Sequence, residues 1–200
     1  MLVLLLVTIR QGTGAAAKTQ ESTRRGEPNY SSGQDSSKAA KAATGTGGAA
    51  GSSSLKCLYT DANSILNKMS ELCERVIVEN YGLIGIAETC VTDLVNDAEL
   101  SIDGYSMFRK DRGTRGGGLI LYIKNTIRAR VNEDLTNSKF AESLWCNVKI
   151  EHQRLLVGLC YRSPTSTVEN DEELLSVMEK AVLQTTAHHV LIMGDLFPRN

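Results

Sequence analysis

Two short apolar runs, each followed by a carboxylate, set the pattern of this chain. Residues 189–195 read HVLIMGD, and residues 83–89 read LIGIAET. Runs of this length are too short for buried helices and are typical of strands that are covered on both faces. Asp195 and Glu88 then follow the carboxyl ends of two strands, where the loops of layered α/β folds meet at a cleft. Two such acids indicate a metal or acid/base site, although each acid alone is equally well interpreted as a loop cap.

Large aliphatic side chains are confined to part of the chain. From Gly12 to Ser54 no aliphatic residue is larger than alanine, and Tyr30 is the only aromatic residue. Such a segment cannot bury enough apolar surface to offset its chain entropy. We therefore predict a disordered, low-complexity leader over residues 1–54 and a folded part over residues 55–200.

The first ten residues are apolar, but they are too short to span a membrane and no basic region precedes them. A secretory signal at residues 1–10 is thus the less favoured interpretation. The five cysteines are odd in number, widely spaced and without CxxC spacing. They argue against a zinc site or a disulfide framework and favour reduced thiols in a nuclear or cytoplasmic protein. No membrane segment is expected.

The net charge of the chain does not predict a class of binding partner. Net charge is −1, and residues 1–54 carry six Lys and Arg against three Asp and Glu, which leaves the folded part mildly acidic. The folded part is therefore not an obvious nucleic-acid binder by charge alone. Its only basic cluster in the sequence is the loop 109–115 with Lys124, Arg128 and Arg130 nearby.

Hydrophobic periodicity predicts an α/β order of elements. Apolar residues recur at helical spacing between Ile65 and Ile77 and again between Leu174 and Val182. The first helix, at about 67–80, follows a strand at 55–59 and precedes the strand at 83–87, which is a βαβ beginning. Consecutive strands without helices between them indicate antiparallel pairing; they lie at 104–109, 119–123, 127–131, 142–150 and 154–161. The natural architecture is a layered sandwich of two mixed β-sheets flanked by helices.

Four positions that follow strands call for a common chemistry: Asp61 or Asn63, Glu88, Tyr161 and Asp195. A phosphodiester hydrolase needs a hard cation such as Mg²⁺, a base to activate water and a donor to steady developing charge. Each residue also has a structural interpretation, as a loop cap, an edge residue or a turn former.

Six blocks of sequence together resemble the endonuclease domain of LINE-type (non-LTR) retrotransposons, of the endonuclease/exonuclease/phosphatase superfamily. They occur in the family's order from about residue 55 to 195, at 59–69, 83–89, 104–112 with 115–118, 142–145, 158–164 and 192–195. The resemblance implies an apurinic-endonuclease-like fold of two packed sheets with helices outside. It implies a Mg²⁺-dependent endonuclease that nicks DNA, so Mg²⁺ is the expected cofactor and DNA the expected partner.

Carried over residue by residue, the resemblance makes Glu88 the metal-binding glutamate and Asp195 the aspartate that polarises the attacking water. Tyr161 matches the tyrosine that contacts the scissile phosphate. Asp61 stands where the family usually has an asparagine, and its negative charge disfavours phosphate binding. Asn63, two residues further on, is the candidate substitute for that asparagine.

The chain departs from the family after Asp195. Phe197 stands where a second amide is expected, and the family's later Asp-His pair has no counterpart. His188 and His189 lie on the wrong side of the strand to replace that histidine. We therefore expect an incomplete fold, with residues 55–200 forming about two thirds of such a domain. An exposed sheet edge and impaired or absent activity are the expected consequences.

The loop that carries Arg112 and Arg115, together with Lys124, is the predicted nucleic-acid contact. The favoured alternative is that Gly116–Gly118 form a simple hairpin turn and that the flanking charges are solvated. Other functions stay open. They are a non-catalytic nucleic-acid or protein interaction module on the same scaffold, another phosphoesterase of the superfamily, and a pseudogene product without a stable fold.

Overall fold

The computed structural model describes residues 5–10, 20–21, 55–112 and 116–196 of the chain. The described part contains ten strands and four α-helices. The strands are β1 (Leu5–Arg10), β2 (Gln20–Glu21), β3 (Cys57–Asp61), β4 (Leu83–Ala87), β5 (Tyr105–Lys110), β6 (Leu119–Lys124), β7 (Arg128–Val131), β8 (Ser143–Ile150), β9 (Gln153–Tyr161) and β10 (His189–Asp195). The helices are α1 (Met69–Glu79), α2 (Asp97–Leu100), α3 (Glu133–Thr136) and α4 (Val168–Gln184), and a 3₁₀ turn at Leu66–Lys68 precedes α1.

The first sheet has the strand order β3-β4-β6-β5. β3 and β4 are parallel because α1 carries the chain back between them, as the βαβ pattern predicted. β6 pairs antiparallel with both β4 and β5. The apolar run of β4 is buried along its whole length because sheet partners lie on both sides and packed layers cover both faces.

The second sheet has the order β2-β1-β10-β9-β8-β7. The neighbours β7, β8 and β9 are antiparallel, and β10 runs parallel to β9 after the α4 crossover. β1 pairs antiparallel with β10, from Val7 opposite Ile192 to Arg10 opposite His189. The edge of β10 is therefore paired, because the backbone of β1 lies along it. Both β1 and β2 belong to the leader 1–54, whose other residues lie outside the described part.

Three apolar layers hold the two sheets and their helices together. The sheets face each other over a central core that includes Leu121, Leu159 and Met193. α1 covers the outer face of the first sheet, and α4 covers the outer face of the second over Trp145, which is fully buried. The predicted layered α/β sandwich with two mixed sheets is thus confirmed.

Two short helices were not predicted. α2 lies in a polar stretch without period, and local capping explains it, because Asn96 accepts from the backbone of Ala98 and forms a capping box with Glu99. α3 begins in the same way at Asn132, whose side chain accepts from Leu135 N.

All five cysteines are free, and burial raises the pKa of the Cys57, Cys146 and Cys160 thiols to about 12. Within the described residues, no helix combines the length and apolar character that a membrane crossing requires.

Candidate functional site

Glu88 and Tyr161 join the two sheets at one end of the sandwich. Glu88 directly follows β4 in the first sheet, and Tyr161 is the last residue of β9 in the second. The Tyr161 hydroxyl donates a hydrogen bond to Glu88 Oε1. Glu88 has a φ of 51°, which is uncommon for a residue other than glycine, and strained backbone of this kind clusters at functional sites. This contact defines what we call the site end of the molecule.

Asp61 lies one strand away from Glu88. It is the last residue of β3 and pairs in register with Ala87, the residue before Glu88. Asp61 Oδ1 accepts from Asn63 N at 3.2 Å, which closes a turn in which Asn63 has a φ of 43° and is exposed. Asn63 therefore lies in a turn, as its structural interpretation predicts. The Asp61 carboxylate is half-buried and lies at the site end.

Asp195 reaches the site end beside Tyr161. The two residues pair in register on the parallel strands β10 and β9, and Arg162 N donates to Asp195 O at 2.9 Å. Gly194 makes this arrangement possible because a Cβ at that position would lie 1.8 Å from the Cys160 carbonyl oxygen. The close approach of the two backbones therefore places the Asp195 and Tyr161 side chains on neighbouring strand ends.

Arg162 adds a cation to the site end that the sequence did not single out. Its guanidinium donates two hydrogen bonds to Asp171, of 2.8 and 2.7 Å. Asp171 beside the guanidinium raises the pKa of Arg162, and the charge of Asp195 contributes in the same direction. The pair anchors the start of α4 to the end of β9 and brings a fixed positive charge near Asp195.

The glycine-rich loop is built onto the site end through Glu142. Gly118 N donates to Glu142 Oε2 at 3.2 Å, and Arg112 Nε lies 3.4 Å from Glu142 Oε1. Gly118 has a φ of +88°, and a Cβ there would lie 2.6 Å from the Thr89 hydroxyl oxygen. Gly118 is thus required for packing against the segment after Glu88. Glu142 belongs to one of the resemblance blocks, but nothing in the pattern indicated this contact.

A polar cleft of about 230 Å³ opens next to Tyr161. Hydroxyl side chains from the segment before α4 and an amide from its first turn line the cleft, together with Arg112 and Glu142. The wall residues are Ser163, Thr165, Ser166, Thr167 and Asn170. Hydroxyls, amides and arginines are the groups that hydrogen-bond to phosphate and sugar oxygens in nucleic-acid complexes.

The predicted basic contacts do not all lie at this cleft. Arg112 lines it, whereas Lys124 lies at the opposite end of β6 and its ammonium group donates to Asn80 Oδ1. Arg115 lies outside the described residues. Arg109, at the start of the same loop, forms ion pairs with Asp97 and Asp111, so its role is structural.

The oxygen ligands available at the site end are of the type that binds a hard cation. Glu88 and Asp61 supply carboxylate oxygens, and Mg²⁺ is commonly bound through one or two carboxylates, with waters and substrate phosphate completing its shell. Among the described residues, no group of three or more His, Cys, Asp and Glu side chains is arranged to hold a metal on its own. The residues present fit a magnesium site that is completed by substrate, rather than a closed structural metal site.

Two packed mixed sheets with helices outside, and the candidate side chains at the strand ends, form the apurinic-endonuclease-like arrangement that the sequence resemblance implied. The resemblance found in the sequence is thereby confirmed at the level of the fold. No protein-family model matches the chain, and no curated protein matches it.

Solved structures supply the comparison. An AP endonuclease, LMAP from Leishmania major, matches with a TM-score of 0.57 and 15% identity over 70% of this chain and 54% of that one. A D. rerio TDP2 humanized by 14 mutations matches with a TM-score of 0.52 and 14% identity over 73% of this chain and 63% of that one. The endonuclease domain of TRAS1, a telomere-specific non-LTR retrotransposon, matches with a TM-score of 0.49 and 12% identity over 70% of this chain and 57% of that one. The chain thus spans less than two thirds of the length of each.

Proposed function

We propose that the site end is a Mg²⁺-dependent phosphodiesterase site that nicks DNA, of the kind found in LINE-type (non-LTR) retrotransposon endonucleases. The observation that carries the proposal is the hydrogen bond from Tyr161 to Glu88, because it brings the implied phosphate contact and the implied metal ligand together from different sheets. The match to the AP endonuclease LMAP, an enzyme by its name, supports the same reaction class.

Each side chain has a distinct part in this proposal. Glu88, with Asp61 beside it, would hold Mg²⁺, which when bound offsets negative charge on the phosphoryl oxygens. Asp195 accepts a proton from the attacking water or orients that water. The Tyr161 phenol donates to Glu88 in the free protein and is placed to donate to a phosphate oxygen when DNA is bound.

The polar cleft gives the proposed substrate a path away from the reacting phosphate. Its hydroxyls and Asn170 can bond to the sugar-phosphate chain on one side of Tyr161, and Arg112 can pair with a phosphate once it leaves Glu142. Free thiols on all five cysteines support a reducing nuclear or cytoplasmic setting for such an activity.

We expect the activity of this chain to be low. All three of its histidines lie away from the site end, with His152 after β8 and both His188 and His189 at the start of β10. None of these three histidines can therefore act as a general acid or base at the site end. The loss of one such group slows catalysis by about 10²- to 10⁴-fold.

Nicking of a supercoiled plasmid by the 200-residue chain with Mg²⁺ is the direct test. Glu88→Gln and Asp195→Asn should each lower the nicking rate at least about 100-fold. Glu179→Gln, which removes an exposed carboxylate from α4, is the matched control and should leave the rate unchanged. Nicking that is equal in the wild type and Glu88→Gln would overturn the proposal.

Two further readouts separate the remaining possibilities. Hydrolysis of 4-nitrophenyl phosphate without plasmid nicking would indicate a phosphomonoesterase of the same superfamily. Mn²⁺ binding, followed by electron paramagnetic resonance, should weaken in Glu88→Gln even where turnover is slow. If the wild-type protein neither nicks DNA nor binds Mn²⁺ through Glu88, the protein is a non-catalytic interaction module.

A further inference from the structure

The outer face of the second sheet is covered by a helix along only part of its length. α4 packs over Trp145, Leu156 and Cys160, and it ends at Gln184. Beyond that end, the sheet and the segment after α4 enclose an open cavity of about 500 Å³. The residues that line this cavity are Arg128, Ala129, Arg130, Asn132, Asn147, Val148, Lys149, Arg154, Leu155, Gln184, Thr185, Thr186 and Ala187.

The cations of this cavity form a row across three strands. Arg128 on β7 pairs in register with Lys149 on β8, and Lys149 pairs in register with Arg154 on β9. Directly paired residues share one face of a sheet with Cβ atoms about 5 Å apart. Arg130, two residues along β7, adds a fourth cation on the same face. We call the surface formed by Arg128, Arg130, Lys149 and Arg154 the basic face.

The basic face has no neutralising partner in the part of the chain that the structure describes. None of its four cations forms an ion pair there, and the cavity lining contains no carboxylate. Arg128, Arg130, Lys149 and Arg154 are all exposed. The charges are therefore available to a partner outside the chain.

The row is a cost to the fold rather than a source of stability. Like charges that lie directly opposite on neighbouring strands are destabilising. Here the same sign occurs at two successive cross-strand pairs, in a folded part that is otherwise mildly acidic. A polyanion bound in the cavity would relieve this repulsion.

We propose that the basic face binds the sugar-phosphate backbone of a nucleic acid. The four cations match a chain of phosphates in charge, and Asn132, Asn147 and Gln184, with the hydroxyls of Thr185 and Thr186, can hydrogen-bond to phosphate and sugar oxygens. A concave lining with four cations and five amide or hydroxyl side chains fits a hydrated strand rather than acyl chains.

The basic face is a second surface, distinct from the proposed cleavage site. Arg154 and Tyr161 are at opposite ends of β9, about 23 Å apart at the usual rise per residue. A duplex or strand held at the basic face therefore contacts the protein away from Glu88 and Asp195. The inference does not depend on the proposed hydrolysis, because binding is measured without divalent metal.

Fluorescence anisotropy with a labelled 20-nucleotide strand and a 20-base-pair duplex tests this proposal, using the 200-residue chain in EDTA over a series of salt concentrations. The triple variant Arg128→Gln, Lys149→Gln, Arg154→Gln should raise Kd at least about tenfold near 0.1 M salt. It should make the negative slope of log K against log salt shallower by about two to three, since each phosphate contact contributes about −0.9 to that slope.

The control triple variant Lys56→Gln, Arg75→Gln, Lys139→Gln removes the same charge elsewhere and should change Kd less than twofold. Equal loss of binding in both triple variants would overturn the proposal. The proposal also fails if the basic-face variant binds the oligonucleotides normally and loses only its binding to phosphatidylserine vesicles or to polyglutamate. The single variant Lys149→Gln is the mildest change and should leave the fold intact. It should make the negative salt slope shallower by about one, and an unchanged slope would contradict the proposal.

Discussion

The two ends of β9 carry opposite kinds of surface. At its carboxyl end, the buried Tyr161 meets Glu88 and lies beside Asp195, and both acids are half-buried. At its amino end, Arg154 continues an exposed row of cations that have no ion-pair partner among the described residues. One strand therefore links a preorganised site to an open, electrostatic surface.

The difference predicts how each surface responds to substitution. The site end depends on backbone approach and on specific bonds, so small changes there should cost stability or activity. The cations of the basic face form no ion pairs among the described residues and repel one another, so replacing them should leave stability intact or improve it.

Gly194→Ala should have the largest effect on stability. The added Cβ would lie 1.8 Å from the Cys160 carbonyl oxygen, so β10 must move away from β9. We expect a loss of about 3 kcal/mol or more in the free energy of unfolding, measured by urea denaturation. Gly104→Ala is the control. Its φ is +83° with open space around it, so it should cost only about 1 kcal/mol. Equal costs for both variants would contradict the packing argument.

Tyr161→Phe should reduce plasmid nicking about 100-fold while the protein stays folded, because the phenol that bonds to Glu88 is lost. Tyr122→Phe removes a buried hydroxyl that donates to Leu100 O at 2.6 Å, away from the site. That control should lower stability by about 1 kcal/mol and leave nicking unchanged. If the two variants nick at the same rate, Tyr161 has no part in the site.

Lys149→Glu should separate stability from binding at the basic face. The acid would lie between Arg128 and Arg154, so repulsion at two cross-strand pairs becomes attraction. We expect stability to rise by up to about 1 kcal/mol at low salt, with the gain shrinking as salt increases. Affinity for the labelled oligonucleotide should fall in the same variant. A loss of stability in thermal unfolding would show that the three residues do not form the row described.

Asp171→Asn should have a small effect on stability that is present above the ordinary pKa of Asp171 and disappears in acid. Arg162 holds the pKa of Asp171 below its ordinary value of 3.8. The unfolded chain thus binds this proton more readily, and the stability from the pair is present above that ordinary value and lost as pH falls through the lowered pKa. Wild type should lose stability more steeply with acid than the variant does. Parallel acid titrations, followed by circular dichroism, would contradict this prediction.

The sequence determined the kind of fold and the end at which its candidate site lies. Alternation, short apolar runs and helical spacing are local properties, so the βαβ beginning, the antiparallel strands and the α4 crossover could be predicted to within a few residues. Glu88, Tyr161 and Asp195 each follow or close a strand, which suffices to predict a shared end. Their chemical roles stay predictions that the proposed variants test.

The tertiary structure alone decided which side chains are neighbours. Lys124 was grouped with Arg112 by distance along the chain, but the strand direction of β6 carries it to the opposite end of the sheet. Arg128 joins Lys149 and Arg154 only through strand register, which a sequence does not state because pairing is fixed by contacts between distant segments. The pairing of β1 with β10, nearly the whole chain apart, is of the same kind. Local patterns fix what each segment is, and packing between remote segments fixes what each residue meets.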